Sequence, residues 1–579
     1  MKLELLKGSR SRILAGLVLV ISVIFIFRLF YLQVIQHDHY TALAQEEQEK
    51  REKVPATRGE IYAFSGDTPV KLVMNQTVYT VFADPMVIKD TQKVATAMKE
   101  VAGGNVRDNF EALLERRDTR YQIIATRVTR TQAEKLKERE LTGIGFQEVS
   151  QRVYPEGQLG SQLLGFVNAE GQGNYGVEGY LNDSLKGQDG RLVTVTDVSD
   201  VPLTIGDRNI REQPKNGENV VLSIDRNIQS RVEQALLDGV KRTGATNASA
   251  IVMDPNTGKV LAMANLPTYN PSEYYKVEDA ALFNNDAVSK PYEPGSVIKT
   301  YTLATGIDKN VVRPDSTYVN TDRLTIDGWT IENYTKGKTG TITMQTALEW
   351  SLNTGFVTIA ERLGDGTSIT RTARDTMYQY FHDRLGIGTL TGIELANEAP
   401  GSLAAPSTSE GNAVKYANVS FGQGMDATMV QVASGFSALI NGGTYYKPTV
   451  ISGSMNDGQY VAKDTVPPVA TGIVSADTSN TLRAMMQQAR RSAFGSQDKA
   501  GYSIGGKTGT AQVAVPGGYS KTESIGSYLG YGGTDTPEYV IMVAVSGKDK
   551  AFQGSTHAMP IFNDISGWMI DYLKIQPKG

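Results

Sequence analysis

The alternation of apolar and polar positions divides the chain before any motif is considered. Lys2, Lys7, Arg10 and Arg12 precede a run that is apolar from Ile13 to Phe27 except for Gly16 and Ser22, and that resumes from Leu29 to Ile35. As a helix, 13–35 would span roughly 34 Å at about 1.5 Å per residue, enough to cross a bilayer. The spacing therefore predicts a transmembrane anchor over 13–35. The basic residues ahead of it place 1–12 in the cytoplasm, and Arg28 can snorkel to the headgroups. Ala42-Leu43-Ala44 has the form of a signal-peptide cleavage site, but it lies beyond Phe30, Tyr31 and Tyr40, which suit an interfacial belt better. An uncleaved single-pass anchor in the plasma membrane is expected, with everything after residue 36 extracytoplasmic. The charged run Gln45–Lys53 then reads as a solvated stalk helix within 36–57.

Past the stalk, Arg58–Tyr62 and Val70–Val81 read as strands around a Gly66-Asp67 turn. The stretch 84–141 reads as helical, with Thr91–Val101, Val106–Arg116 and Thr131–Arg139 repeating apolar residues near i, i+3, i+4. A Gly-rich region from Arg152 to Glu178 follows. Its Gly171–Gly176 segment has neither the G-K-[ST] ending nor the strand–helix setting of a phosphate loop, and reads as turns. The polar stretch 209–218, with Pro214 and Gly217, marks a boundary between an N-terminal domain at 58–213 and a larger domain at 214–579. In the latter, Val220–Asp225 is a strand, Arg226–Lys241 a helix, and 248–264 a hairpin turning at Asp254–Gly258. Helices are expected near 299–308, 343–363, 428–441 and 560–575, and strands near 445–451, 502–514, 524–531 and 538–546. The fold class is α+β, with early and late strands sharing one sheet.

Composition narrows the chemistry. The 579 residues need at least two cores, and 40% hydrophobic with 21% charged residues is a globular balance. A net charge of −4 without a basic stripe gives no reason to expect nucleic acid. The chain has no cysteine, and its histidines (His37, His39, His382, His557) are scattered, so no metal site and no cofactor are expected.

Within this frame Tyr292-Glu293-Pro294-Gly295-Ser296-Val297-Ile298-Lys299-Thr300 stands out. A Pro-Gly turn feeds Ser296 into an apolar helical run, and Lys299 lies three residues on, on the same helix face. An amine beside a hydroxyl at a helix N-terminus can make a serine nucleophilic. Ser–Lys acyl enzymes combine S-x-x-K, S-x-N and K-T-G, and each element alone is weak. About two S-x-x-K matches are expected by chance, and Ser496…Lys499 is the second. It sits in a polar stretch with Asp498, whereas Ser296 leads into a helix that can be buried. Burial matters because free lysine, with a pKa of about 10.4, is no base until desolvated. K-T-G-T also occurs twice. Lys338–Thr341 lies in a basic, Gly-rich connection into a helix. Lys507–Thr510 lies in a strand pattern whose glycines would let a substrate backbone approach. Ser351-Leu352-Asn353 supplies the middle element in the right order.

These motifs, with Arg58-Gly59-x-Ile61, Arg152-x-Tyr154-Pro155, Gly176-Val177-Glu178, Asp254–Met263 and Phe421-Gly-Gln-Gly424, resemble a class B penicillin-binding protein over nearly the whole chain. That resemblance implies an elongated pedestal domain at 58–213. It also implies a transpeptidase domain at 214–579 with a central, mainly antiparallel sheet flanked by helices. No glycosyltransferase region is expected ahead of the pedestal and no repeat domain after the last helix. By matching position, Ser296 is the acylated nucleophile and Lys299 its base. Ser351 relays a proton to the leaving amine, and Asn353 bonds the substrate backbone. Lys507 and Thr508 shape the electropositive wall, Gly509 is a further substrate-binding position, Thr510 meets the terminal carboxylate, and the N–H groups of Ser296 and Thr510 make the oxyanion hole. The implied reaction is D,D-transpeptidation of D-Ala–D-Ala stem peptides, with β-lactams as covalent inhibitors and a membrane-embedded glycan polymerase as partner. Asp383–Gly388 and Thr391–Leu395 resemble the division branch more than the elongation branch. A catalytically idle scaffold is the alternative from another class.

Overall fold

The computed structural model describes residues 9–41, 49–195, 210–464, 467–515 and 518–578. The basic residues Lys2 and Lys7, the Ala42–Ala44 motif and residues 45–48 of the expected stalk lie outside them. The chain forms two compact units, one of residues up to Thr57 with Gly187–Gly217, the other of Arg58–Lys186 with Glu218–Gly579.

In the first unit, Ser9–Phe30 is a helix that widens into a π-turn at Tyr31–Ile35. Arg12–Ile35, 24 residues containing an 18-residue stretch of mean hydropathy 2.8, is the one helix among the described residues long and apolar enough to cross a membrane. The expected stalk helix is corrected at its C-terminal end: Glu49–Val54 is a strand, pairing antiparallel with Gly190–Val195, which in turn pairs with Ile210–Glu212. Charge along Glu49–Lys53 demands solvent but no particular backbone, and a partner run of Leu, Val and Thr supplies the ladder.

The first sheet of the second unit is built on a long strand, Thr68–Ala83, which pairs antiparallel with Ile61–Ser65, Gln122–Thr129 and Ile144–Val153. Helices form at Thr91–Val101 and Arg130–Lys137 as the periodicity predicts, each capped by the side chain ahead of it, Asp90 and Thr129. Between them the helical reading fails. Only Phe110–Leu114 makes a turn of α-helix, and Gln122–Thr129 is a strand that buries Ile124, Ala125 and Val128. The boundary drawn at 213/214 does not separate two sheets. Ile61–Ser65 runs parallel to Val220–Asp225, which pairs with Ile451–Asn456, so one seven-stranded sheet crosses it. The core is continuous there too, uniting Ile61, Leu72, Val73 and Tyr154 with Leu222, Ile298 and Tyr301. The three pedestal motifs meet in one buried ion cluster. Fully buried Glu178 accepts from Arg58 Nε at 2.9 Å and from Arg152 Nε at 2.7 Å.

A second sheet organises the larger part of this unit. Its strands, numbered here in chain order, are β1 (Asn247–Met253), β2 (Val260–Leu266), β3 (Gly505–Val515), β4 (Gly518–Gly533) and β5 (Pro537–Ser546). The spatial order β2-β1-β5-β4-β3 is antiparallel throughout, so early and late strands do share it. Central β5 buries both faces. Tyr539, Ile541, Val543 and Val545 pack with the helices Arg226–Thr243 and Met559–Tyr572, while Val540 and Met542 face the helical side. That side holds Met429–Ile440, a helix buried at every residue, and α1 (Lys299–Asp308), buried from Lys299 to Gly306. The helix expected at 343–363 is two, α2 (Met344–Glu349) and α3 (Asn353–Arg362), broken at Ser351. The strand expected at 445–451 begins instead at Ile451, and the helix Ala476–Phe494 went unanticipated.

Candidate active site

The Pro294-Gly295 turn becomes a single 3₁₀ turn, Gly295–Ile298, that runs directly into α1. Ser296 is half-buried at its start, while Val297 and Ile298 are fully buried beneath it. Two glycines make the turn possible. Gly295 adopts φ +63°, and a Cβ there would sit 2.9 Å from the Thr510 carbonyl. Gly422, at φ +90°, accepts at its carbonyl from the Gly295 N–H at 2.9 Å, and any side chain on it would run into the Gly295 carbonyl. The Phe421–Gly424 motif is thus the bed on which the nucleophile turn rests.

Lys299, one turn on, has no exposed surface. Its Nζ donates to Ser351 O (2.7 Å), Ser351 Oγ (3.0 Å) and Asn353 Oδ1 (2.8 Å), and lies 5.3 Å from the Phe356 ring centre. Lys507, also buried, donates to the same Ser351 Oγ at 2.8 Å and to Thr508 O at 3.0 Å. One hydroxyl therefore joins the two lysine side chains. Burial holds the Lys299 amine well below the ordinary lysine range, with the neighbouring Lys507 charge adding to it, and burial lowers Lys507 to about 7. Ser351 reaches both lysines from the break between α2 and α3, where its own φ is +53°. Asn353 opens α3 and is held on its other side by Nδ2 donating to Glu332 O at 2.8 Å.

Opposite the nucleophile turn lies β3, the edge strand of the sheet. An edge leaves backbone donors and acceptors on which an extended peptide can add as a further strand. The glycines of β3 also lie against the protein's own side chains. A Cβ at Gly505 would strike the Tyr531 ring, at Gly506 the Tyr528 hydroxyl, and at Gly509 Ser527, with Val297 only 3.0 Å away. They let the strand approach the protein's own neighbours and hold Thr510 beside Gly295.

The geometry thus brings Ser296, Lys299, Ser351, Asn353 and Lys507–Thr510 to one cleft from three elements. Residues 248–567 match the family model described as the penicillin binding protein transpeptidase domain, and 53–222 match the penicillin-binding protein dimerisation domain. The chain belongs to the penicillin-binding protein transpeptidase family. With a dimerisation domain ahead of the transpeptidase domain, it is a class B penicillin-binding protein. It is 29% identical to stage V sporulation protein D of Bacillus subtilis over 98% of this chain and 87% of that one. It is 27% identical to the peptidoglycan D,D-transpeptidase FtsI of Escherichia coli over 98% and 92%. Among solved structures, penicillin binding protein 2X from Streptococcus thermophilus superposes with TM-score 0.72 at 22% identity, covering 91% of this chain and 80% of that chain. Penicillin binding protein 3 from Mycobacterium tuberculosis, complexed with aztreonam, gives 0.67 at 24%, covering 91% and 98%.

The second motif copies of this penicillin-binding protein lie elsewhere. Lys499 pairs on the surface with Asp571 at 2.6 Å, and Lys338 caps the Trp350 ring at 3.7 Å from its centre. Glu293, within the same motif, is a further residue of the site that the three-motif pattern does not single out. Its carboxylate accepts from Gly424 N–H (2.7 Å) and the Tyr519 hydroxyl (2.9 Å), and burial raises its pKa. It ties the nucleophile turn to the Phe421–Gly424 bed. The signal was available, because a carboxylate before a Pro-Gly turn needs donors.

Proposed function

We propose that this penicillin-binding transpeptidase cross-links peptidoglycan stem peptides through an acyl-enzyme on Ser296, as a single-pass membrane protein of the division branch. The observation that carries the reading is the convergence of two buried lysines on Ser351 Oγ beside the nucleophile turn. A D-Ala–D-Ala end lies along the β3 edge with its carboxylate at Thr510 and its backbone amide toward Asn353. As an ammonium, Lys299 fills three acceptors. As a free amine it has two N–H groups and a lone pair, and the lone pair takes the proton of Ser296 Oγ as that oxygen attacks the penultimate carbonyl. The N–H groups of Ser296 and Thr510 receive the oxyanion, a contribution of ~10²–10³ in rate per donor in comparable enzymes. When the C–N bond breaks, Ser351 passes a proton to the departing D-Ala amine, resupplied by Lys299 or Lys507. A stem-peptide amine then attacks the ester by the reverse sequence. A β-lactam carries the same carboxylate and a reactive amide, and acylates Ser296.

The basic residues ahead of Ile13 support a cytoplasmic N-terminus, and the exposed apolar helix is a surface for a membrane-embedded glycan polymerase. Division rather than elongation is supported by the resemblance of Asp383–Gly388 and Thr391–Leu395 to the division branch. A fluorescent fusion gathering at mid-cell supports that branch, and one spread along the lateral wall refutes it. For the chemistry, detergent-solubilised full-length protein is expected to form a covalent adduct with fluorescent penicillin on the peptide carrying Ser296. Undiminished labelling of Ser296→Ala, or an adduct on Ser496, would overturn the assignment.

A further inference from the structure

The chain after β5 makes a π-turn, Gly554–Ala558, before the last helix, and this turn sits on the motif strand. Gly554 N–H donates to Thr510 Oγ1 at 3.4 Å, and a Cβ at Gly554 would lie 2.8 Å from Gly509 N. The preceding residue reaches the opposite wall. Gln553 Nε2 donates to the Tyr334 hydroxyl at 3.0 Å, two residues beyond the Glu332 carbonyl that holds Asn353. Gln553–Gly554 therefore touches both sides of the cleft at its Thr510 end. What fixes it is a histidine without a part in the chemistry above. Gln553 backbone N–H donates to His557 Nδ1 at 2.9 Å, and the Thr556 hydroxyl lies 2.9 Å from the same nitrogen. The half-buried ring meets the fully buried Phe552 edge-on, with centres 5.2 Å apart. The Gln553 carbonyl lies 3.2 Å from the same nitrogen but already accepts the His557 backbone N–H at 3.0 Å, so the Gln553 N–H aimed at Nδ1 calls for a lone pair there and for the ring proton on Nε2.

We propose that His557 is a positioning residue of the transpeptidase site: its Nδ1 acceptor holds the Gln553–Gly554 turn against Thr510 and so shapes the carboxylate-recognising end of the cleft. The inference rests on the reading of Ser296 and Thr510 as the acyl-transfer site. Asparagine places an acceptor oxygen where Nδ1 stands, whereas leucine fills the space without one. Acylation of the full-length protein by fluorescent penicillin, followed by stopped flow, is expected to lose roughly tenfold in second-order rate with His557→Leu, the worth of one structural hydrogen bond. The loss should fall on the binding step more than on the acylation step. His557→Asn is expected to return within about threefold of the parent, since it restores the acceptor. An unchanged rate for His557→Leu overturns the proposal. So does an Asn variant as slow as the Leu variant while both melt with the parent, since ring packing would then be all that matters. Should the Leu variant fail to fold, ¹⁵N spectra of histidine-labelled parent protein decide: an unprotonated Nδ1 at His557 is expected, and an Nδ1–H tautomer refutes the role. A parent that forms no adduct on Ser296 fails the functional reading itself, and the proposal with it. Normal parent acylation with indifferent variants fails this proposal alone.

Discussion

Ser351 shows how much of the site lies in a single dihedral. Its hydroxyl joins Lys299 and Lys507 only because the backbone enters the left-handed region between α2 and α3, a conformation that costs a residue with a Cβ about 1–2 kcal/mol. Replacement by alanine removes the hydroxyl and keeps the strain, and replacement by glycine removes both. Ser351→Gly is therefore expected to be about 1 kcal/mol more stable than Ser351→Ala by thermal melting, while both acylate at least ~10²-fold more slowly than the parent. Equal stability would mean that the Cβ carries no strain there. The two lysines make a second expectation. The folded pKa of Lys507 lies below its unfolded value of about 10.4, so the unfolded chain holds that proton from about 7 upward. Stability accordingly rises with pH across that interval, and the cost of burying the ammonium is full below it. The pair shares its protons, so acylation should rise with pH as the site loses its first. Lys507→Met removes the charge that helps depress Lys299, and its ascending limb should move to higher pH. A limb that stays in place, or moves down, removes Lys507 from the titration of Lys299. The residue types at Ser296, Lys299, Ser351 and Lys507 were legible because order and local polarity separated them from their second copies. The left-handed turn at Ser351 was not, because the packing of two helices imposes it, and the periodicity around it reads as one helix.

Among elements, the buried cluster of Glu178 with Arg58 and Arg152 does for the pedestal what the lysine pair does for the site. Three short motifs, distant in sequence, come together there because one carboxylate can accept from two guanidinium groups at once. Glu178→Gln keeps the shape and takes from two largely buried arginines the carboxylate they share. The cost expected is about 3–5 kcal/mol, seen as a lower unfolding midpoint of the full-length protein. A loss under about 1 kcal/mol, the range of exposed ion pairs, would mean that water reaches the cluster. Legibility differed by kind of element. Helices with a polar cap and a 3.6-residue apolar repeat, Thr91–Val101 behind Asp90 and Arg226–Thr243 behind Asp225, fall where the pattern places them. Elements defined by a partner did not. Glu49–Val54 carries charge enough for a solvated helix and becomes a strand through pairing with Gly190–Val195. Gln122–Thr129 becomes one because Thr68–Ala83 offers it an edge. Propensity is local, and a ladder needs a second strand that no sequence window contains.

At the scale of the whole molecule the same limit explains the domain boundary. A polar stretch with Pro214 and Gly217 has every local mark of a linker, and the chain does pass there from one matched family domain toward the next. Yet Val220–Asp225 has all six of its residues buried, flanked by Ile61–Ser65 from before the stretch and Ile451–Asn456 from far beyond it. Composition reports where a chain meets water, and it is silent about which strands complete a sheet. A fragment of 214–579 would leave the Val220–Asp225 ladder open on one side. It would also uncover the part of the core that Ile61, Leu72, Val73 and Tyr154 now cover, although it keeps every motif residue of the cleft. An exposed, apolar strand edge favours pairing between copies. The fragment 214–579 is therefore expected to aggregate or to melt at a lower temperature than 58–579, and to bind fluorescent penicillin poorly although Ser296, Lys299, Ser351 and Lys507 are all present. Because the sheet is shared, 58–579 should unfold its pedestal sheet and its penicillin-binding site in a single step, followed by calorimetry together with loss of labelling. A 214–579 fragment that is monomeric, melts with the longer one and labels at the same rate would show that the shared sheet joins two domains each stable alone.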